Sequence, residues 1–122
     1  MPEVVFDSSF LIAVAEHPTT WAEDMKLGLG AFEPVLLDCV AEEMRNLAAR
    51  GGRKSRLASL ALELASSFRR AESGRADVDS EISSFAETNG AAVATIDTEL
   101  QARLRARGIR VVSLRRNRVS LA

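Results

Sequence analysis

The stretch AAVATIDTELQARLRARGIRVVSL, residues 91–114, decides the fold. Its apolar run Ala91–Ile96 stops at Asp97. Leu100 and Leu104 then follow at helical spacing, Gly108 closes that helix, and Ile109–Leu114 is a second β-branched run. The order strand, helix, strand with so short a link is that of a parallel crossover. Outward from this unit the pattern repeats. Val35-Leu36-Leu37 ends in Asp38, and Val40, Met44 and Leu47 mark the next helix. Val4-Val5-Phe6 ends in Asp7-Ser8-Ser9 before the apolar Phe10–Ala15. Short apolar runs that do not alternate belong to a parallel sheet covered on both faces. Leu57, Leu60, Ala61, Leu64, Ala65 and Phe68 form an amphipathic stripe, and Val78, Ile82, Phe85 and Ala86 form another. Gly51-Gly52 separates two helices, and Ser73-Gly74 is expected to stop the longer one. The expected fold is a single α/β domain over residues 1–122: a three-layer α/β/α sandwich around a parallel sheet of four to five strands.

Composition narrows the function. The chain of 122 residues is 47% hydrophobic and 27% charged, enough apolar matter for a core and too little net charge for disorder. No apolar run approaches the roughly 20 residues of a bilayer span. The opening MPEVVFDSSF lacks the basic region of a secretory signal, and one cysteine cannot form an internal disulfide, so a cytoplasmic protein is expected. One histidine and no tyrosine exclude chemistry that needs several imidazoles. Any demanding chemistry must come from carboxylates.

The net charge of −1 hides a polarity. Residues 1–44 carry nine acids and one base, whereas residues 45–122 carry fifteen bases and eight acids. The last twenty-two residues hold seven arginines and no acid, and a second basic cluster is Arg45, Arg50, Arg53, Lys54 and Arg56. Arginine forks match phosphate, so a polyanionic partner competes with two merely solvated helix faces.

In an open parallel sheet a ligand lies beyond the carboxyl ends of the strands. Asp7 and Asp97 stand there directly, Glu43 lies one turn into the helix after the second run, and Asp79 opens the helix that starts near Asp77. The separation is 36 residues from Asp7 to Glu43, 36 from Glu43 to Asp79 and 18 from Asp79 to Asp97. Each interval holds a crossover or a helix pair, so all four can converge. Converging carboxylates repel unless a cation sits among them, and Mg²⁺ and Mn²⁺ favour oxygen ligands. The chemistry that fits is metal-assisted hydrolysis of a phosphodiester.

Each acid has a plainer role in competition. Aspartate caps helices, and Asp7, Asp38, Asp79 and Asp97 all sit at helix starts. Thr98-Glu99-Leu100-Gln101 has the form of a capping box, which would give the cap to Thr98 and free Asp97; Ser80 could cap in the same way beside Asp79. Asp77 and Glu99 are further acids near the quartet, or solvated ones. His17 before Pro18 is expected to end the first helix, Cys39 to be a small packed residue, and Trp21, Met25 and Leu29 to share a packed face.

These residues resemble the PIN-domain ribonucleases over almost the whole chain. The resemblance rests on VVFDSSFLI, DCVAEEMRNL and DVDSEISSFAETNGAAVATIDTELQARLRARGIRVVSL. DCVAEEM and ATIDTEL are most similar to the archaeal and eukaryotic branch related to small-subunit ribosomal RNA processing factors, and less so to the VapC toxins. The resemblance implies a PIN-like fold and a Mg²⁺- or Mn²⁺-dependent endoribonuclease for single-stranded RNA. It places the family's acids on Asp7, Glu43, Asp79 and Asp97, and hydroxyls near the metal on Ser9 and Thr95. Asp77-Val78-Asp79 replaces an adjacent acid pair, so Asp77 and Asp79 both stay open as the third ligand. Glu99 and Leu100 replace the toxin branch's further acid and aromatic.

The expectation is a metal-dependent endoribonuclease, with Asp7, Glu43, Asp79 and Asp97 holding the ion and Arg103, Arg107, Arg115, Arg116 and Arg118 engaging RNA phosphates. The expected partners are RNA, a second copy of the chain in a homodimer and, for a toxin, an antitoxin. Two alternatives are a non-catalytic PIN-like RNA-binding or assembly module and an aspartyl-phosphate protein. The second lacks an acid pair at the first strand and a lysine at the last.

Overall fold

The computed structural model describes residues 1–18 and 20–121. Twelve elements run in the order β1 (Glu3–Phe6), α1 (Ser8–Glu16), α2 (Trp21–Leu29), β2 (Glu33–Leu37), α3 (Asp38–Ala48), α4 (Arg53–Leu64), β3 (Arg69–Ala71), α5 (Val78–Asn89), β4 (Ala92–Ala94), α6 (Thr98–Ala106), β5 (Val111–Arg115) and β6 (Arg118–Ser120). They form one six-stranded sheet in the order β3-β2-β1-β4-β5-β6. β1 to β5 pair in parallel, as expected, and β6 adds an antiparallel edge.

Burial explains the unalternating strands. Val4, Val5 and Phe6 point to opposite faces in turn and are all fully buried, so helices cover both faces of the sheet. On one side Phe6, Phe10, Trp21 and Phe68 meet edge to face or tilted, with Phe6 and Phe68 centroids 4.8 Å apart. Trp21 and Met25 turn into the core from α2, which lies against β6. Gly51 and Gly52, at φ 80° and 93°, make the corner between α3 and α4 that other residues would strain to make.

Three expectations change. The helix of the Leu57–Phe68 stripe ends at Leu64, not at Ser73-Gly74: Ala65 and Phe68 lie in the turn that leads to β3, and Leu60 faces solvent. β3 carries no apolar signal, since Arg69 and Arg70 are exposed. It is held by charge: Glu3 and Glu33 are register partners in β1 and β2, and Arg69 bonds to both, its Nε 2.7 Å from Glu33 Oε1. Arg70 reaches Asp38 Oδ1 at 3.3 Å. β6 returns from β5 through Arg116-Asn117, both at positive φ (52° and 62°), the geometry of a tight hairpin whose twist suits its strands.

The strand order sets the position of any site. From β1 the chain moves to β2 and β3 on one side, then crosses to β4 and β5 on the other. The crevice above the carboxyl ends of β1 and β4 is the switch point where such sheets bind ligands.

Candidate active site

Asp7 and Thr95 follow β1 and β4 at that crevice. The Asp7 N–H continues the ladder, donating to the Ala94 carbonyl at 2.9 Å. Asp7 occupies the N-cap position of α1, yet its side chain makes no capping bond. Its Oδ2 instead accepts the hydroxyls of Ser9 (2.5 Å) and Thr95 (2.8 Å). Those two hydroxyls are 3.2 Å apart, and each also accepts a backbone N–H: Ile96 donates to Ser9 and Asp97 to Thr95. The Gln101 amide fixes the Thr95 carbonyl at 2.7 Å. A carboxyl group only 6% exposed is thus satisfied on one oxygen and aimed by a hydroxyl network. Among the described residues, nothing donates to its other oxygen.

The remaining acids stand around this anchor. Ser8 Oγ donates to Glu43 Oε1 at 2.6 Å, which ties α3 to the residue after Asp7. Burial, then the negative charges of Asp7 and Asp97, push the Asp79 carboxyl above its ordinary range, and Arg103 pulls the other way. Arg103 Nη1 lies 3.7 Å from Asp79 Oδ2. Asp79 therefore shares the field of both crest aspartates although it comes from α5.

The capping roles fall differently from expectation. The cap of α6 is Asp97, not Thr98: Asp97 Oδ1 accepts the N–H groups of Glu99 (3.0 Å) and Leu100 (3.1 Å). Gln101 has left the anticipated box for the Thr95 carbonyl. Asp97 also lies close enough to raise the Asp79 carboxyl, so cap and crest acid are one residue. Asp77, not Ser80 or Asp79, caps α5. It accepts the Ser80 N–H and hydroxyl (3.1 and 2.7 Å), which hold its carboxyl below its ordinary range. Asp38 is the first residue of α3 rather than its cap, and Glu99 is exposed in the first turn of α6.

The five arginines do not gather. Arg115 and Arg116 are exposed at the carboxyl end of β5, on the edge of the crest, and Arg103 reaches it through Asp79. Arg118 is clamped by Asp24 in a two-pronged pair (2.8 and 2.9 Å), with the Val119 N–H added. The Arg118 bond holds the Asp24 carboxyl down at about 2. Arg107 pairs with Glu87 at 3.2 Å and lines a cavity with Pro2, Gly90 and Ile109 at the opposite end of the strands. His17 caps the C-terminus of α1, and Cys39 is half-buried with its thiol pushed up by burial. Ser8 and Gln101 are the contributors that the sequence reading passed over. Ser8 had its place beside Asp7 as a signal; Gln101 had only a misleading one.

The donors facing the crest are carboxylate and hydroxyl oxygens, the set that Mg²⁺ or Mn²⁺ takes and Zn²⁺ seldom does. Among the described residues no three His, Cys, Asp or Glu side chains stand close enough to cage an ion. The fit is therefore one of donor chemistry and of negative charge around Asp79 that Arg103 offsets only in part.

A sequence model of the PIN like domain matches residues 4–117. No curated protein matches the chain. Among solved structures, the PIN domain endonuclease Utp24 aligns with a TM-score of 0.80 at 24% identity, over 96% of this chain and 88% of that one. A domain of a functionally unknown protein from Methanocaldococcus jannaschii aligns with a TM-score of 0.69 at 18% identity, over 94% and 92%. VapBC2 from Rickettsia felis, bound to a DNA fragment, aligns with a TM-score of 0.69 at 11% identity, over 91% and 98%. At these identities the likeness is one of fold.

Proposed function

The chain belongs to the PIN-like domain family, and from that premise we propose that it is a divalent-metal-dependent endoribonuclease that hydrolyses single-stranded RNA. The observation that carries the reading is the geometry at the strand ends: Asp7 is aimed by Ser9 and Thr95 rather than spent on its helix, and a carboxyl from α5, Asp79, raised first by burial and then by the charges of Asp7 and Asp97, stands in the same field. Acids that raise one another's pKa at a ligand crevice mark a functional site, because an ion bound there offsets their repulsion. Asp7, Asp79 and Asp97, with Glu43 behind Ser8, would hold Mg²⁺ or Mn²⁺. The bound ion would lower the pKa of a water and offset charge on the scissile phosphate.

The chain's own groups do the rest. Ser9 and Thr95 fix the direction of the Asp7 carboxylate, and the α6 N-terminus steadies Asp97 through two N–H bonds. Arg103, 3.7 Å from Asp79, and Arg115 and Arg116 would draw the RNA backbone to the crest. The finer assignment, processing of ribosomal RNA rather than the work of a toxin with an antitoxin, rests on the DCVAEEM and ATIDTEL stretches. A cytoplasmic homodimer belongs to the same reading; Leu27 and Leu60, 86% and 49% exposed, are among the apolar side chains open to such a contact.

The test is cleavage of a labelled single-stranded RNA by wild type and Asp97→Asn, with Mn²⁺ and with EDTA. Metal-dependent cutting that leaves 5′-phosphate and 3′-hydroxyl ends, and that is lost in the variant, is expected. RNA binding in both proteins with no cutting would replace the enzyme by a binding module.

A further inference from the structure

Beside the acid crest lies an open groove of about 610 Å³, within the roughly 300–1,000 Å³ typical of small-ligand clefts. One wall is α3 and its C-terminal extension: Cys39, Glu42, Glu43, Asn46, Leu47 and Arg50. Their spacing of three and four residues puts them on one helical stripe. Ser8 and Val78 form the other wall, so the groove begins at the Ser8–Glu43 bond next to Asp7. Cys39, Leu47 and Val78 give it an apolar lining. Asn46 and Arg50 are exposed, and among the described residues neither side chain has a partner. Arg50 stands in the turn just past the end of α3, seven residues beyond Glu43.

We propose that this groove is a subsite for one nucleotide of the RNA strand flanking the cut, its base read by Asn46 and Glu42 and its phosphate held by Arg50. The proposal rests on the nuclease reading and adds to it the residues that choose the base. The Asn46 amide offers a donor and an acceptor together, which suits a base edge bearing an exocyclic amine beside a ring acceptor. Glu42, one turn earlier on the same stripe, accepts only, so it favours that amine and opposes a carbonyl at the same place. The groove thus disfavours uracil, which has no exocyclic amine, against bases that carry one, adenine and cytosine among them. The base lies on Leu47 and Val78, and Arg50 at the far end compensates Glu42 and Glu43 for the approach of a phosphate.

The experiment uses uridine dodecamers carrying a single adenine, cytosine or no substitution at a central position. Wild type should cut beside adenine or cytosine with kcat/KM about tenfold above the uridine background, the order of discrimination of one good base contact. Glu42→Gln combined with Asn46→Ala should flatten that preference, and Arg50→Gln should raise KM for every oligonucleotide with kcat nearly unmoved. A preference that survives the combined Glu42→Gln and Asn46→Ala replacement, or an unchanged KM in Arg50→Gln, overturns the subsite and leaves the nuclease standing. If wild type cuts none of the oligonucleotides, the nuclease reading fails. The subsite is then judged by fluorescence anisotropy on the same series and by alkylation of Cys39, the sole cysteine, which lines the groove. Tighter binding of the adenine or cytosine oligonucleotide together with slowed alkylation supports the subsite; equal binding with no protection sinks it.

Discussion

At the scale of single residues, Asp7 decides the site because it gives up an easier role. It stands where a helix cap belongs and instead spends its bonds on Ser9 and Thr95. Asp7→Asn removes one negative charge near Asp79 and keeps the side-chain shape. Cleavage should fall at least a hundredfold with the fold intact by circular dichroism, and the Asp79 carboxyl should titrate closer to its ordinary 3.8 in carbon-detected NMR. An active, folded Asp7→Asn protein would sink the assignment. Asp79 also links to stability. Its folded pKa is raised, so above 3.8 the native state holds the proton longer than the unfolded chain does, and its contribution falls as pH rises through that window. Asp79→Asn should therefore abolish cleavage while matching or exceeding wild-type stability at pH 7. The gain is capped at about 1 kcal/mol by the exposure of the carboxyl. The residue types and spacing made these acids legible. The division of labour between Asp97 and Thr98 was not, because a Thr-x-x-Gln box and an aspartate cap one residue earlier look alike until Gln101 is seen to turn to Thr95.

At the scale of elements, the sequence speaks where burial writes the pattern and falls silent where charge does. β1, β2, β4 and β5 are apolar runs and were legible; β3 and β6 are Arg-rich edges held by Arg69 and Arg118 through acids distant in sequence. The two caps of the crest helices separate structure from chemistry. Asp77→Ala deprives α5 of a cap and should cost about 1 kcal/mol in urea unfolding while leaving cleavage within a few-fold, whereas Asp79→Asn does the reverse. Loss of cleavage in Asp77→Ala at full folding would make Asp77 the ligand instead. The β5–β6 hairpin has a pH signature. Asp24 falls from 3.8 to about 2 on pairing with Arg118, so its contribution is present above 3.8 and is lost as pH drops towards 2. Asp24→Asn should flatten the acid limb of stability against pH over that interval, as read by thermal unfolding.

At the scale of the molecule, topology and charge act together. The crossover between β1 and β4 opens the crevice where such sheets bind ligands; Asp7, Asp79 and Asp97 act on one another there, while most of the bases spread over the edges and the far end. A sequence count of C-terminal arginines treats all seven alike; the fold sorts them by position and partner. Arg107 is spent on Glu87 at the opposite end, where Arg110 lies too, Arg118 is spent on Asp24 and Arg103 faces Asp79, while Arg115 and Arg116 stand exposed at the crest edge. Association with RNA releases about 0.7 counterions per phosphate neutralised on a single strand, so each lost contact lowers the slope of log K against log salt by about that amount. Replacing Arg115 and Arg116 together with Gln should therefore reduce the slope by about 1.4, while Arg107→Gln should leave it unchanged. Anisotropy titrations of a single-stranded RNA between low and physiological salt measure it directly. Equal slopes for the double variant and wild type would place the RNA path away from the hairpin. A reduced slope in Arg107→Gln would carry the path to the far end of the sheet, where no acid of the quartet could reach the strand it holds.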